Sequence, residues 1–170
     1  MIIFGFLGLI LVGTILLMLP ISARGGHGAT IEEALFTSTS AVCVTGLVVR
    51  DTAEYWSGFG QAVILVLIQI GGLGIVTVAA FIAMISGRKI SLMQRGLLQD
   101  SLSAHQIGGI VKMTRFIFLT ALIAEAAGAL FMMPVFCRQY GASGVWMSVF
   151  HSVSAFCNAG FDVMGSKTGA

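Results

Sequence analysis

Thr39-Ser40-Ala41-Val42-Cys43-Val44-Thr45-Gly46-Leu47 and Ser154-Ala155-Phe156-Cys157-Asn158-Ala159-Gly160-Phe161 are two forms of one pattern. At an offset of 114 residues, Phe36 matches Phe150, Ser38 Ser152, Ser40 Ser154, Ala41 Ala155, Cys43 Cys157 and Gly46 Gly160. Identity at these positions argues for an internal repeat. Each copy sits in an apolar stretch, Ile31 to Val49 and Val145 to Val163, too short to cross a bilayer. The expectation is a pair of re-entrant loops, each a short helix followed by a turn.

Working outward, the longer apolar runs are Ile2 to Leu19, Phe59 to Ile85 and about Phe116 to Cys137. Each is long enough to read as a span of a hydrocarbon core about 30 Å thick. A secretory signal peptide competes for the first run, but no Lys or Arg precedes it. Hydrophobic residues make up 57% of the chain and charged ones 9%, with a mean hydropathy of +1.00. A soluble domain carries roughly 25% charge, so composition excludes a soluble enzyme. The formal charge of +2 and the lack of a basic run interleaved with aromatics exclude a nucleic-acid partner. Cys43, Cys137 and Cys157 lack C-x-x-C spacing, which indicates neither a disulfide framework nor a zinc site.

Arg88, Lys89, Arg95, Lys112 and Arg115 cluster between the second and third runs, which places that loop in the cytoplasm. The expected organisation is therefore a first span/pore-loop/span unit over 1–85, a cytoplasmic basic loop over 86–115, and a second unit over 116–170 that stops after its loop. The fold class is an all-α membrane protein of repeated span, re-entrant helix, span units, embedded in the plasma (inner) membrane with several passes.

Thr30-Ile31-Glu32-Glu33 reads as a capping box that opens the first short helix. Entering from outside, that helix points its C-terminal partial negative charge at the membrane centre, where it favours a cation. Non-helical backbone at such depth is tolerated where it lines a water-filled path, and its carbonyls can replace an ion's hydration shell. Gly46 and Gly160 suit turns that a side chain would forbid.

These residues resemble the Trk/Ktr/HKT superfamily of potassium and sodium uptake proteins, most closely its Ktr-type membrane subunit. Gln69-Ile70-Gly71-Gly72-Leu73-Gly74-Ile75 is similar to that family's span after the first filter. The resemblance implies four units around one pore, of which this chain is an N-terminal portion. It also implies K+ held by backbone carbonyls of Val44, Thr45, Gly46, Asn158, Ala159 and Gly160, with no cofactor beyond the transported ion. The implied partners are the lipid bilayer, a second copy of the pore subunit and a cytoplasmic nucleotide-binding regulatory subunit. The alternative is a non-conducting fragment or membrane scaffold derived from such a transporter.

Glu125, alone in a span, is expected to bond a neighbouring helix, and His151 to pack rather than ligate a metal. Gly71-Gly72-Leu73-Gly74 lacks the spacing of a dinucleotide fingerprint and reads as a flexible or closely packed place. Cys43 and Cys157 are expected to pack behind their turns.

Overall fold

A chain whose apolar runs are interrupted by Pro20, Ser57 and Gly141 folds as helices joined by short turns, and the computed structural model has that form. It describes residues 2–74, 77–78 and 110–165. Its helices are α1 (Ile2–Met18), a 3-10 turn (Pro20–Ser22), α2 (Ile31–Val42), α3 (Gly58–Leu73), α4 (Ile110–Tyr140) and α5 (Ser143–Phe156). No strand occurs among the described residues; Ala23 and Trp56 form an isolated antiparallel bridge.

Helix α1 stops because Pro20 pushes Leu19 into the extended region, where its ψ is 140°. Ser57 starts α3 by accepting a hydrogen bond from the Gly60 amide at 3.2 Å. Gly74 then breaks that helix with a φ of +82°. The charge-free run from Phe59 to Ile85 is therefore not one uninterrupted helix, and residues 79–85 lie outside the described set. Helix α4 is longer than the sequence suggested. Ile110 to Arg115, assigned to the basic loop, are helical because Lys and Arg are good helix formers that do not end a helix. Its stretch Thr114–Tyr140 is long and apolar enough to cross a membrane, whereas α1 and α3 are shorter apolar helices. The rest of the proposed cytoplasmic loop, including Arg88, Lys89 and Arg95, lies outside the described residues.

The capping box forms as read. Thr30 Oγ1 accepts from the Glu33 amide at 3.3 Å, and Glu33 Oε2 accepts from the Thr30 amide at 3.2 Å. Glu33 also takes the Arg50 guanidinium Nε at 2.7 Å and the Tyr55 hydroxyl at 3.1 Å, which ties the segment after the first turn to the start of α2. The Arg50 hydrogen bond, helped by Thr30, holds the Glu33 carboxyl down at about 2 against an ordinary value of 4.5. A depressed carboxyl stabilises the fold above its unfolded value, and that stabilisation is lost as pH falls from 4.5 toward about 2. Arg50 is more than half exposed, so salt weakens the pair. Arg50→Ala should lower the unfolding midpoint in detergent at neutral pH, with the gap to the parent closing through that acid range. A gap of equal size at both ends of the range would contradict the assignment. Thr30→Ala should cost about 1 kcal/mol.

Helix α1 packs on α2, α4 packs on α5, and α3 touches α1, α2 and α5. Trp56, Val42, Ile64, Ile68, Leu67 and Phe150 fill the core where α3 joins the two halves. In lipid, exchanging tail contacts for Leu or Ile contacts gains little, so close approach at small residues holds helices together. Gly71 is such a place: a Cβ there would fall on the Val42 carbonyl oxygen, with the Val42 Cα at 3.1 Å. At Gly72 a Cβ would lie 2.6 Å from Cys157 Sγ. Of the two readings of this glycine run, close packing describes Gly71 and Gly72, and a backbone break describes Gly74.

Candidate ion-coordinating turns

Both short helices end in the same way. After α2, Cys43 is the C-cap, the Val44 amide donates to the Ala41 carbonyl at 3.2 Å, and the Thr45 amide donates to the Ser40 carbonyl at 2.9 Å. After α5, Cys157 is the C-cap, the Asn158 amide donates to Ala155 at 3.0 Å, and the Ala159 amide donates to Ser154 at 2.7 Å. Each set is a Schellman motif, with the first residue past the cap in the left-handed region. Val44 has a φ of 55° and Asn158 a φ of 56°. Asparagine tolerates that region, but a β-branched valine there is a genuine outlier. Two residues on, Gly46 and Gly160 have φ of +80° and +71°.

The turns meet each other. A Cβ on Gly46 would lie 2.6 Å from the Ala159 carbonyl oxygen and 3.2 Å from the Gly160 Cα. The structure thus brings Val44, Thr45, Gly46, Asn158, Ala159 and Gly160 into two adjoining turns. Ala159 is buried, while Thr45, Asn158 and Gly160 are exposed. Asp162 is exposed and turns an Oδ1 back to the Met164 amide at 3.2 Å.

Behind each turn, a serine anchors the short helix to a long one. Ser38 Oγ donates to the Ile10 carbonyl at 2.8 Å, and Ser152 Oγ donates to the Glu125 carbonyl at 2.6 Å. Gly13 and Gly128, each three residues beyond the accepting carbonyl, leave room for those hydroxyls. These glycines lie at an offset of 115, one more than the repeat itself, which hid them from a fixed-offset alignment. The halves also differ. Ser154 Oγ donates to the Phe161 carbonyl at 2.7 Å, while the matching Ser40 hydroxyl is buried without a hydrogen bond. Cys157 is half-buried against α3, whereas Cys43 is exposed, contrary to the expectation that both pack behind their turns.

Glu125 is buried, and Gln69 Nε2 donates to both its carboxylate oxygens, at 2.8 and 3.0 Å. The His151 ring stacks on Phe136 with centroids 5.2 Å apart, and its Nδ1 lies 2.8 Å from the Met147 carbonyl. Among the described residues, no group of three or more His, Cys, Asp or Glu side chains is arranged to hold a metal ion.

The two short helices thus end in matching turns that touch at glycine. The TrkH family profile, described as a cation transport protein, matches residues 6–167, and the chain belongs to this family. It is 43% identical over 164 residues to the potassium/sodium uptake protein NtpJ of Enterococcus hirae, covering 96% of this chain and 36% of that protein. It is 46% identical over 160 residues to the Ktr system potassium uptake protein B of Bacillus subtilis, covering 94% and 36%. The protein of the same name in Vibrio alginolyticus is 38% identical over 161 residues, covering 94% and 35%. The chain therefore spans about a third of the length of these relatives.

Proposed function

We propose that this chain supplies part of the conduction path of a multi-pass membrane transporter for K+ or a similar monovalent cation. The ion is held by main-chain carbonyls of residues 44–46 and 158–160. The observation that carries this reading is the contact between the two turns at Gly46, where each helix ends in the same pair of hydrogen bonds. Positive φ at residues 44 and 46, and again at 158 and 160, gives the two turns the same backbone course. Main-chain carbonyls that line a path can stand in for an ion's hydration shell. The helix C-termini behind them add partial negative charge. Names of the relatives agree with a cation as cargo. Their greater length agrees with further units completing the path, and equally with this chain being a non-conducting portion on its own. The second copy and the regulatory subunit implied by family resemblance belong to the same reading, and the mass of the complex extracted from native membranes tests them.

If carbonyls rather than side chains hold the ion, Thr45→Val in a full-length protein should keep the KM for K+ within about threefold, below the tenfold that about 1.4 kcal/mol represents. Asn158→Gly is the matching variant, since it removes the carboxamide while favouring the observed φ of 56°. Loss of uptake in both would show that their side chains are ligands.

A further inference from the structure

Glu125 and Gln69 stand outside the carbonyl path, yet they lie directly behind one of its turns. Gln69 presents its amide nitrogen to the Glu125 carboxylate, and its Oε1 faces Cys157 Sγ at 4.0 Å. Cys157 is the C-cap of α5, the residue before the left-handed Asn158. Gly72, less than one helical turn further along α3, seats the same thiol. Helix α3 thus holds Cys157 through two residues of one face. The main chain of Glu125 fixes α5 as well, because its carbonyl accepts from Ser152. One residue of α4 is therefore tied to α3 by its carboxylate and to α5 by its carbonyl.

The first turn is supported differently. Ile10, whose carbonyl takes the place of Glu125's, has an apolar side chain, and Cys43 is exposed. There α3 touches main chain directly, Gly71 against Val42. A carboxylate beside Leu65, Val66, Leu122 and Val149 is a costly way to fill space, and apolar side chains would pack that position without desolvating a charge. A paired carboxamide and carboxylate does what Leu cannot: it fixes the direction of the carboxamide oxygen aimed at Cys157.

We propose that Glu125 and Gln69 are positioning residues that set the second turn through Cys157, and with it the transporter's preference between K+ and Na+. This inference rests on reading the two turns as the ion path. Initial uptake rates of K+ and Na+ by the full-length protein, with protein in the membrane quantified, test it. Gln69→Leu leaves the carboxylate without its partner and should shift the KM ratio for the two ions by about tenfold, the scale of one hydrogen bond to a charged group. Gln69→Glu sets two carboxylates against each other and should do at least as much. The exchanged pair Gln69→Glu with Glu125→Gln restores a carboxamide facing a carboxylate, and should return the ratio to within about threefold of the parent. An unchanged ratio in Gln69→Leu overturns the proposal. So does an exchanged pair that recovers neither membrane level nor the ratio. If Gly46→Ala loses discrimination while Gln69→Leu keeps it, the positioning role alone fails; if both keep it, the reading of the turns fails.

Discussion

Replacing Gly46 by alanine should cost the full-length protein most of its ability to distinguish K+ from Na+, and Gly160→Ala should cost less. Both glycines have a left-handed φ, which alanine adopts at roughly 1–2 kcal/mol. They part company in what the new methyl meets. At Gly46 it lies 2.6 Å from the Ala159 carbonyl oxygen, a backbone atom that cannot swing aside as a flexible side chain would. At Gly160 the nearest atom is the Gly46 Cα at 3.4 Å, an ordinary contact. Gly46→Ala therefore displaces a carbonyl assigned to the ion and should lower K+ uptake by about a hundredfold, the sum of strain and collision, against about tenfold for Gly160→Ala. Uptake kinetics with each cation in turn measure the difference. Equal mild effects would mean that the contact between the turns does not matter for conduction.

Gly71→Ala should have a large effect on folding. Its methyl would overlap the Val42 carbonyl at the end of α2, and the next nearest atoms are also backbone, the Val42 C at 2.9 Å and Cα at 3.1 Å. No rotamer change relieves that collision, so α3 and α2 must separate, at a cost near the upper end of the 1–3 kcal/mol typical of overpacking, about 3 kcal/mol. Gly72→Ala meets Cys157 Sγ and Cβ instead, and Cys157→Ala should recover part of its loss by removing the sulfur. Gly8 on α1 is the control: nothing lies within 4 Å of a Cβ there, and alanine should be neutral or slightly stabilising as the better helix former. Unfolding midpoints in detergent compare the four variants. A Gly71→Ala protein as stable as Gly8→Ala would show that the helices are not in backbone contact.

The residues most legible in the sequence are those whose partners are close along the chain. Thr30 and Glu33 are three apart, so a capping box can be read directly and its hydrogen bonds follow. The common ending of the two short helices was foreshadowed by shared serine, alanine, cysteine and glycine, and Gly46 and Gly160 announced unusual backbone angles. Val44 did not. Valine is a poor candidate for a positive φ, and the Schellman hydrogen bonds to Ser40 and Ala41 override its preference. Glu125 signalled that it needed a partner, but Gln69 stands 56 residues away on another helix, a pairing only the packing reveals. Hydropathy also passes smoothly over Gly74, because a backbone break does not alter apolarity. The same residue type at matching positions does not guarantee the same surroundings, as exposed Cys43 and half-buried Cys157 demonstrate.

Under the proposed function, a monovalent cation sits where the two turns adjoin, held by main-chain oxygen. Crystals of the full-length protein grown in Rb+ would locate the ion by its anomalous scattering. The expected result is a peak bordered by the carbonyls of residues 44–46 and 158–160, retained in Thr45→Val and lost or weakened in Gly46→Ala. A peak coordinated by side chains elsewhere, such as the Glu125 carboxylate, with none beside these turns in a protein that transports, would contradict it.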